Sequence, residues 1–305
     1  MKRIILLGLI VPLAMACNKE IKTDAPVLEV TADKAVVKAG DTVRFSISSD
    51  ANILSFYSGE VMSDYEFYKG RQTSVDSVLM SFSTSLNYGT QLNQFTVFAS
   101  TDFSGQYTVE AMKAATWKNI TGLYKLAPGN SNTAIAAGVK RVDTLAAPGK
   151  PLYIGFRFIV KPQTANGGSK LWTMTGFNMS GYTDLGVQEL ADHKSAGWQI
   201  IAQGPHDPGR GAVIQAAQLA FFGNNLDYKE EYMEDWVISK AIDMKEVDLG
   251  PDWGTGIKRL ADPPLKEYSY TFAKPGTYKV TFVGANVNSD NESRVVRHVE
   301  VKVTP

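Results

Sequence analysis

The feature that most limits how this chain can fold is a set of strands whose partners lie at the opposite end of the sequence. "VLEVTADKAVVKAGDTVRFSISSDANILSFYSGE", from Val27, alternates apolar and polar residues in short runs broken by turn residues. In "DTVRFSIS", Val43, Phe45 and Ile47 share one face of a strand, and "KAGDT" supplies the turn before it. The complementary strands come only from residue 267 onward, in "EYSYTFAKPGTYKVTFVGANVNSDNESRVVRHVEVKVTP". There Tyr278, Val280 and Phe282 alternate inward after the Pro275-Gly276 turn. "NSDNES" reads as a hairpin loop, and Val295, Arg297, Val299 and Val301 oppose Val296, His298, Glu300 and Lys302. Neither half can close a sandwich by itself, whereas together they can. The expectation is one discontinuous module over 26–71 and 263–305, interrupted by an insert over 72–262. Such an insertion costs little, because loop-closure entropy grows slowly with length.

The insert is β-rich in a different way. "SVLMSFSTSL", "NQFTVFASTDF", "KPLYIGFRFIV", "LWTMTGFNMSG", "GWQIIAQG", "AVIQAAQLAFFG" and "DWVISKAIDM" read as strands joined by Gly, Asn and Pro loops, with helix confined to short turns such as "LDYKEEYMED". The inventory suits a jelly roll, so the expected fold class is all-β. The opening strands and "YTFAKPGTYKVTFVGAN" resemble immunoglobulin-like or PKD-like modules. "QFTVFASTDFSG", "ATWKNIT" and "GKPLYIGFRF" resemble successive landmarks of galactose-binding-like jelly rolls, with "EDWVISKAIDM" in a permuted position. The combination of "FYSGE", "DWVISKAIDMKEVDLGPDWGTGIK" and "YTFAKPGTYKVTFV" resembles a family of lipoproteins of Bacteroides and relatives that carries a domain of unknown function. That resemblance spans nearly the whole mature chain and implies a setting beside outer-membrane glycan-uptake systems.

The first residues point the same way. "MKRIILLGLIVPLAMACNKE" has a basic start, an apolar run Ile4 to Ala16 and small residues before Cys17. The run fits a signal-peptide core and falls short of the roughly 20 residues of a spanning helix. "LAMAC" resembles the lipobox of bacterial lipoproteins, with Leu13 one place early; it implies export, cleavage after residue 16 and lipidation of Cys17, with 17–25 as tether. The protein is then expected at the outer membrane, on the periplasmic side or at the cell surface. Cys17 is the only cysteine, so no disulfide can form within the chain and stability must come from apolar cores. Without Lys2 and Arg3, 29 of the 31 basic residues face 31 acidic ones, a net charge of −2. No basic field is present to hold a phosphate backbone, which argues against nucleic acid as a partner.

The motifs of the common catalytic sites are missing: no Gly-x-Ser-x-Gly, no His-Glu-x-x-His and no phosphate-binding glycine loop. Nor is any cofactor motif present. His193, His206 and His298 are scattered over distant segments. Glu230 and Glu234 in "KEEYMED" would share a helical face if that segment were helical, the one carboxylate pair to weigh for glycoside hydrolysis; a solvated acidic turn leading into the Trp236 strand is the plainer reading. The jelly-roll resemblance also allows a structural Ca²⁺ on loop oxygens, with no Asp-x-Asp-x-Asp-Gly loop to place it.

For carbohydrate the candidates are aromatic rings, whose faces match the apolar face of a pyranose. Trp117, Trp172, Trp198 and Trp236 sit in or beside strand patterns and read as core. Trp253 in "LGPDWGTG", Tyr124 in "GLYKLAPGNSN" and Tyr182 in "MSGYTDLG" are loop aromatics expected at one end of the jelly roll, beside the polar loop "GPHDPGRG" with His206, Asp207 and Arg210. "NILSFYSGEVMSDYEFYKGRQ" adds Tyr65 and Tyr68, either lining a ligand site or forming a joint between modules, with Phe56 as core. Thr42, Ser77 and Thr144 follow an Asp and precede an apolar residue, which resembles the O-glycosylation pattern of Bacteroides exported proteins. The functional expectation is a non-catalytic, lipid-anchored envelope protein that binds carbohydrate or a protein partner. The alternatives are a glycan-active hydrolase with an unrecognised carboxylate pair and an adhesin-like structural subunit.

Overall fold

The computed structural model describes residues 23–147 and 149–305; Cys17, the export signal and the tether before Thr23 lie outside the described residues. The chain is all-β, with only two short α-helices, Val109–Ala114 and Gln163–Asn166, among the described residues. It divides into two compact units, one formed by the chain up to Arg71 together with Gly250–Pro305, the other by Gln72–Leu249.

In the first unit, Leu28–Ala32, Thr42–Ser49 and Glu267–Thr271 form an antiparallel three-stranded sheet. The second sheet runs Thr255–Lys258, Ile53–Tyr57, Gly276–Val287, Glu292–Thr304, Val36–Lys38, its last pair parallel. Strand alternation does what the pattern predicts: Val43, Phe45 and Ile47 are buried while the residues between them are exposed. Phe45, Phe56 and Phe282 meet at centroid distances of 5.2–6.0 Å, and Phe272, Leu54 and Val280 complete that core. Residues 250–262, grouped with the insert from sequence, belong to this unit. Thr255–Lys258 pairs with Ile53–Tyr57, and Asp252 receives two hydrogen bonds from Arg71.

In the second unit one sheet runs Gln199–Gln203, Met233–Ile238, Tyr153–Val160, Phe95–Ser100, Lys118–Asn119. The other runs Gly211–Ile214, Gln218–Phe222, Leu171–Thr183, Ser77–Asn87, Ser131–Arg141, with Gly186–Asp192 also paired to Leu171–Thr183. A shared core joins them, in which Phe82 meets Phe156 at 5.4 Å, Phe95 stacks on Trp172 at 5.1 Å and Phe158 meets Phe221 at 5.7 Å. A smaller apolar cluster of Phe103, Met112, Tyr153, Ile201, Trp236 and Ile238 forms where the segment carrying Val109–Ala114 covers the outer face of the first sheet. Trp172, Trp198 and Trp236 are buried.

Candidate functional site

The strand register of the second unit brings several loops to one edge. Leu171 pairs with Asn87, Trp172 with Phe221 and Gly211 with Phe222, so the loops leaving these strand ends gather together. They enclose a cleft of about 550 Å³ lined by Tyr88, Gln163, Lys170, Leu171, Arg210, Phe222 and the loop Gly223–Asn225, among others. The size lies within the roughly 300–1,000 Å³ of small-molecule sites.

Buried amides hold its walls in place. Gln91 donates through Nε2 to Lys161 O at 3.0 Å and Gly167 O at 3.1 Å, and its Oε1 accepts from Lys161 N–H at 2.8 Å. Gln94 donates to Ile159 O at 3.2 Å and Ser169 Oγ at 2.8 Å, and accepts from Lys170 N–H at 2.9 Å. Each glutamine is only 1% exposed, so each satisfies loop backbone that water cannot reach. Gly89, at φ +48°, brings the 88–89 turn so close that an added Cβ would sit 2.3 Å from both Gly168 O and Ser169 O. Tyr88 itself has φ +60°, uncommon for a residue with a Cβ, and its ring is 73% exposed.

The opposite wall hangs on Asp207. Its carboxylate accepts from the N–H groups of Asn225 at 2.7 Å, Leu226 at 2.6 Å and Tyr228 at 3.1 Å, while its own N–H donates to Asn224 Oδ1 at 2.8 Å. Burial alone would raise the Asp207 pKa, yet those backbone donors outweigh it and hold the carboxyl below its usual value. Next to it, His206 Nδ1 donates to Gly204 O at 3.0 Å and Nε2 lies 2.8 Å from Asp235 Oδ1. Asp235 is fully buried; desolvation pushes its pKa up against the opposing effects of His206 and the Ala212 N–H.

The residues expected from sequence to bind ligand are not gathered here. Tyr124 is buried against Phe82 at 4.7 Å, its hydroxyl pushed up by desolvation and without a hydrogen-bond partner among the described residues, so it is core rather than a loop contact. Tyr182 is exposed but lies within the strand Leu171–Thr183, away from the cleft. Trp253, 73% exposed, belongs to the first unit rather than to the insert, its N–H donating to Met62 O at 3.1 Å. Tyr65 and Tyr68 flank that loop in the same unit and stack on each other at 4.7 Å and 5°. Of the loop "GPHDPGRG", Arg210 does line the cleft. Thr42 opens a strand with its Oγ1 2.9 Å from that of Thr271, Ser77 opens another half-buried, and Thr144 is exposed on the turn Asp143–Leu145.

The acidic segment is a turn followed by a strand, not a helix. Glu234 lies in the strand Met233–Ile238, where Arg157 at 2.8 and 3.0 Å, Tyr232 at 2.6 Å and Trp236 Nε1 at 2.7 Å occupy its oxygens. Despite burial these donors hold its pKa low. Glu230 accepts from the Thr164 N–H and Oγ1. Among the described residues no group of three or more His, Cys, Asp or Glu side chains gathers as a metal cluster.

A family model, described as a domain of unknown function (DUF5017), matches residues 16–198, more than half of the chain. The chain belongs to the DUF5017 family. Neither the curated proteins nor the solved structures provide a significant match. The match to the DUF5017 model takes in the Tyr88 turn and the 163–171 wall of the cleft, while Arg210 and 222–225 fall beyond it.

Proposed function

We propose that this DUF5017 protein is a lipid-anchored, non-catalytic envelope protein that binds carbohydrate in the cleft of its second unit. The observation that carries the reading is Tyr88, a ring held outward by a left-handed turn beside Gln163, Asn225, Lys170 and Arg210. A pyranose offers an apolar face to a ring and hydroxyls to amides and cations, which is the pairing this cleft presents. Its walls are fixed by buried glutamines and by Asp207, so little ordering is lost when a ligand enters. The one carboxylate pair weighed for hydrolysis, Glu230 and Glu234, has its oxygens engaged by separate donors, which favours the binding reading over the hydrolase. Attachment through Cys17 at the outer membrane, beside glycan uptake, rests on the lipobox and family resemblances.

The test is affinity electrophoresis of the purified chain through gels containing neutral and acidic polysaccharides. Retention on at least one polymer is expected, and Tyr88→Ala should abolish it without changing the melting temperature. Unaltered retention of Tyr88→Ala, or no retention on any polymer, refutes the reading.

A further inference from the structure

The charge of the cleft says more than its shape. Lys170 and Arg210 line it, and among the described residues no carboxylate does. The backbone of each is fixed: the Lys170 N–H donates to Gln94 Oε1 at 2.9 Å, and the Arg210 N–H to Asp207 O at 3.0 Å. Among the described residues neither side chain has an ion-pair or hydrogen-bond partner. The acids nearest in sequence and fold keep their charge, but none lines the cleft and their oxygens are held by other donors. Asp207 accepts from three backbone N–H groups, Asp235 faces His206 and the Ala212 N–H, and Glu230 accepts from Thr164. Two cationic side chains thus line a cleft whose other lining residues are uncharged.

We propose that the cleft selects anionic sugars, carboxylated or sulfated, with the anionic group held by Arg210 and Lys170 and a sugar face on Tyr88. The inference rests on the carbohydrate reading and narrows it. The guanidinium fork can take two oxygens of one carboxylate or sulfate, and the ammonium adds a point charge. Neutral sugars would leave both cations unpaired, so they should bind less tightly.

The experiment measures binding of the purified full-length chain to polygalacturonate, to the same galacturonan fully methyl-esterified, and to dextran sulfate, at low and high salt. At least one acidic polymer is expected to bind about tenfold or more tightly than the methyl ester, with salt weakening the binding. Lys170→Gln and Arg210→Gln should each weaken it by about tenfold, as expected for loss of a charge-assisted hydrogen bond. Arg210→Lys, which keeps the charge, should lie between wild type and Arg210→Gln, and all variants should melt as wild type does. Comparison of polygalacturonate with dextran sulfate identifies which anion is preferred. Equal binding of the methyl ester, with the Gln variants unaffected, overturns the anionic inference and leaves the carbohydrate reading standing. Acidic binding that survives Lys170→Gln with Arg210→Gln also overturns it, whereas no binding to any polymer brings down both.

Discussion

Removing the Asp252 carboxylate is the sharpest perturbation the first unit offers. Asp252 is 1% exposed and accepts from Arg71 Nε at 2.8 Å, Arg71 Nη2 at 2.7 Å and the Asp64 N–H at 2.9 Å. The guanidinium it pairs also lies 3.6 Å from the centroid of the Phe67 ring. Asp252→Ala therefore takes the carboxylate from a cation whose side chain is only 10% exposed and frees a backbone donor at the same time. Breaking a buried pair from one side costs about 3–5 kcal/mol. Because the edge of Arg71 reaches water, the lower part of that range is the expectation, about 3 kcal/mol. In a unit of this size that corresponds to a fall in melting temperature of roughly 14 °C. Calorimetry and urea unfolding of the full chain measure it. Arg71→Leu combined with Asp252→Leu should recover more than half of the loss, because no buried charge is then stranded. A loss below about 1 kcal/mol for Asp252→Ala would refute the reasoning, since the pair would then behave as a surface ion pair.

Two further outcomes follow from burial and charge. Tyr124→Phe should raise stability by about 0.5–1.5 kcal/mol, since the hydroxyl is buried without a partner; a melting temperature lower than wild type would show that it is satisfied after all. The carboxyls of Asp207 and Asp252 are held below their usual pKa, burial being outweighed by hydrogen bonds and, for Asp252, by Arg71. The stability they contribute is therefore present above the unfolded value near 3.8 and lost as pH falls through the depressed folded values. Acid titration of the unfolding free energy should show this loss, and Asp207→Asn should flatten it; an identical acid slope in that variant would contradict the assignment.

How much of this was legible depends on whether the determinant was local. Val43, Phe45 and Ile47 announced their strand because a half-buried strand writes its two faces into alternate residues. Gly250–Asp262 did not announce its unit. Its strand is the four residues Thr255–Lys258, with a glycine inside, and only the distant Ile53–Tyr57 gives it a partner. Tyr124 stands before Pro, Gly and Asn in sequence and so looks like a loop residue, yet it fills space against Phe82. Arg210 was visible as part of a polar loop. Tyr88, Lys170 and the buried Gln91 and Gln94 were not, because "NYGTQLNQ" reads as an ordinary polar turn until long-range partners such as Lys161, Gly168 and Ser169 are known.

The richest aromatic stretch and the cleft proposed for carbohydrate are in different units, and ring geometry explains why. A sugar needs a free ring face. In the 52–72 stretch each of these rings has a face or edge taken by a neighbour: Tyr65 stacks on Tyr68, Tyr57 meets Tyr65 at 5.2 Å, and Arg71 covers Phe67, although Tyr68 stays 39% exposed. Aromatic density there produces self-packing. Trp253 keeps a free face, but the loop its backbone N–H bonds to carries the exposed apolar residues Val61 and Met62. Tyr88 meets no other ring among the described residues, and amides and two cations share its cleft. A single exposed ring with polar groups around it is thus the stronger candidate than five rings in a row, because what a ligand reads is the surface the protein has left unused.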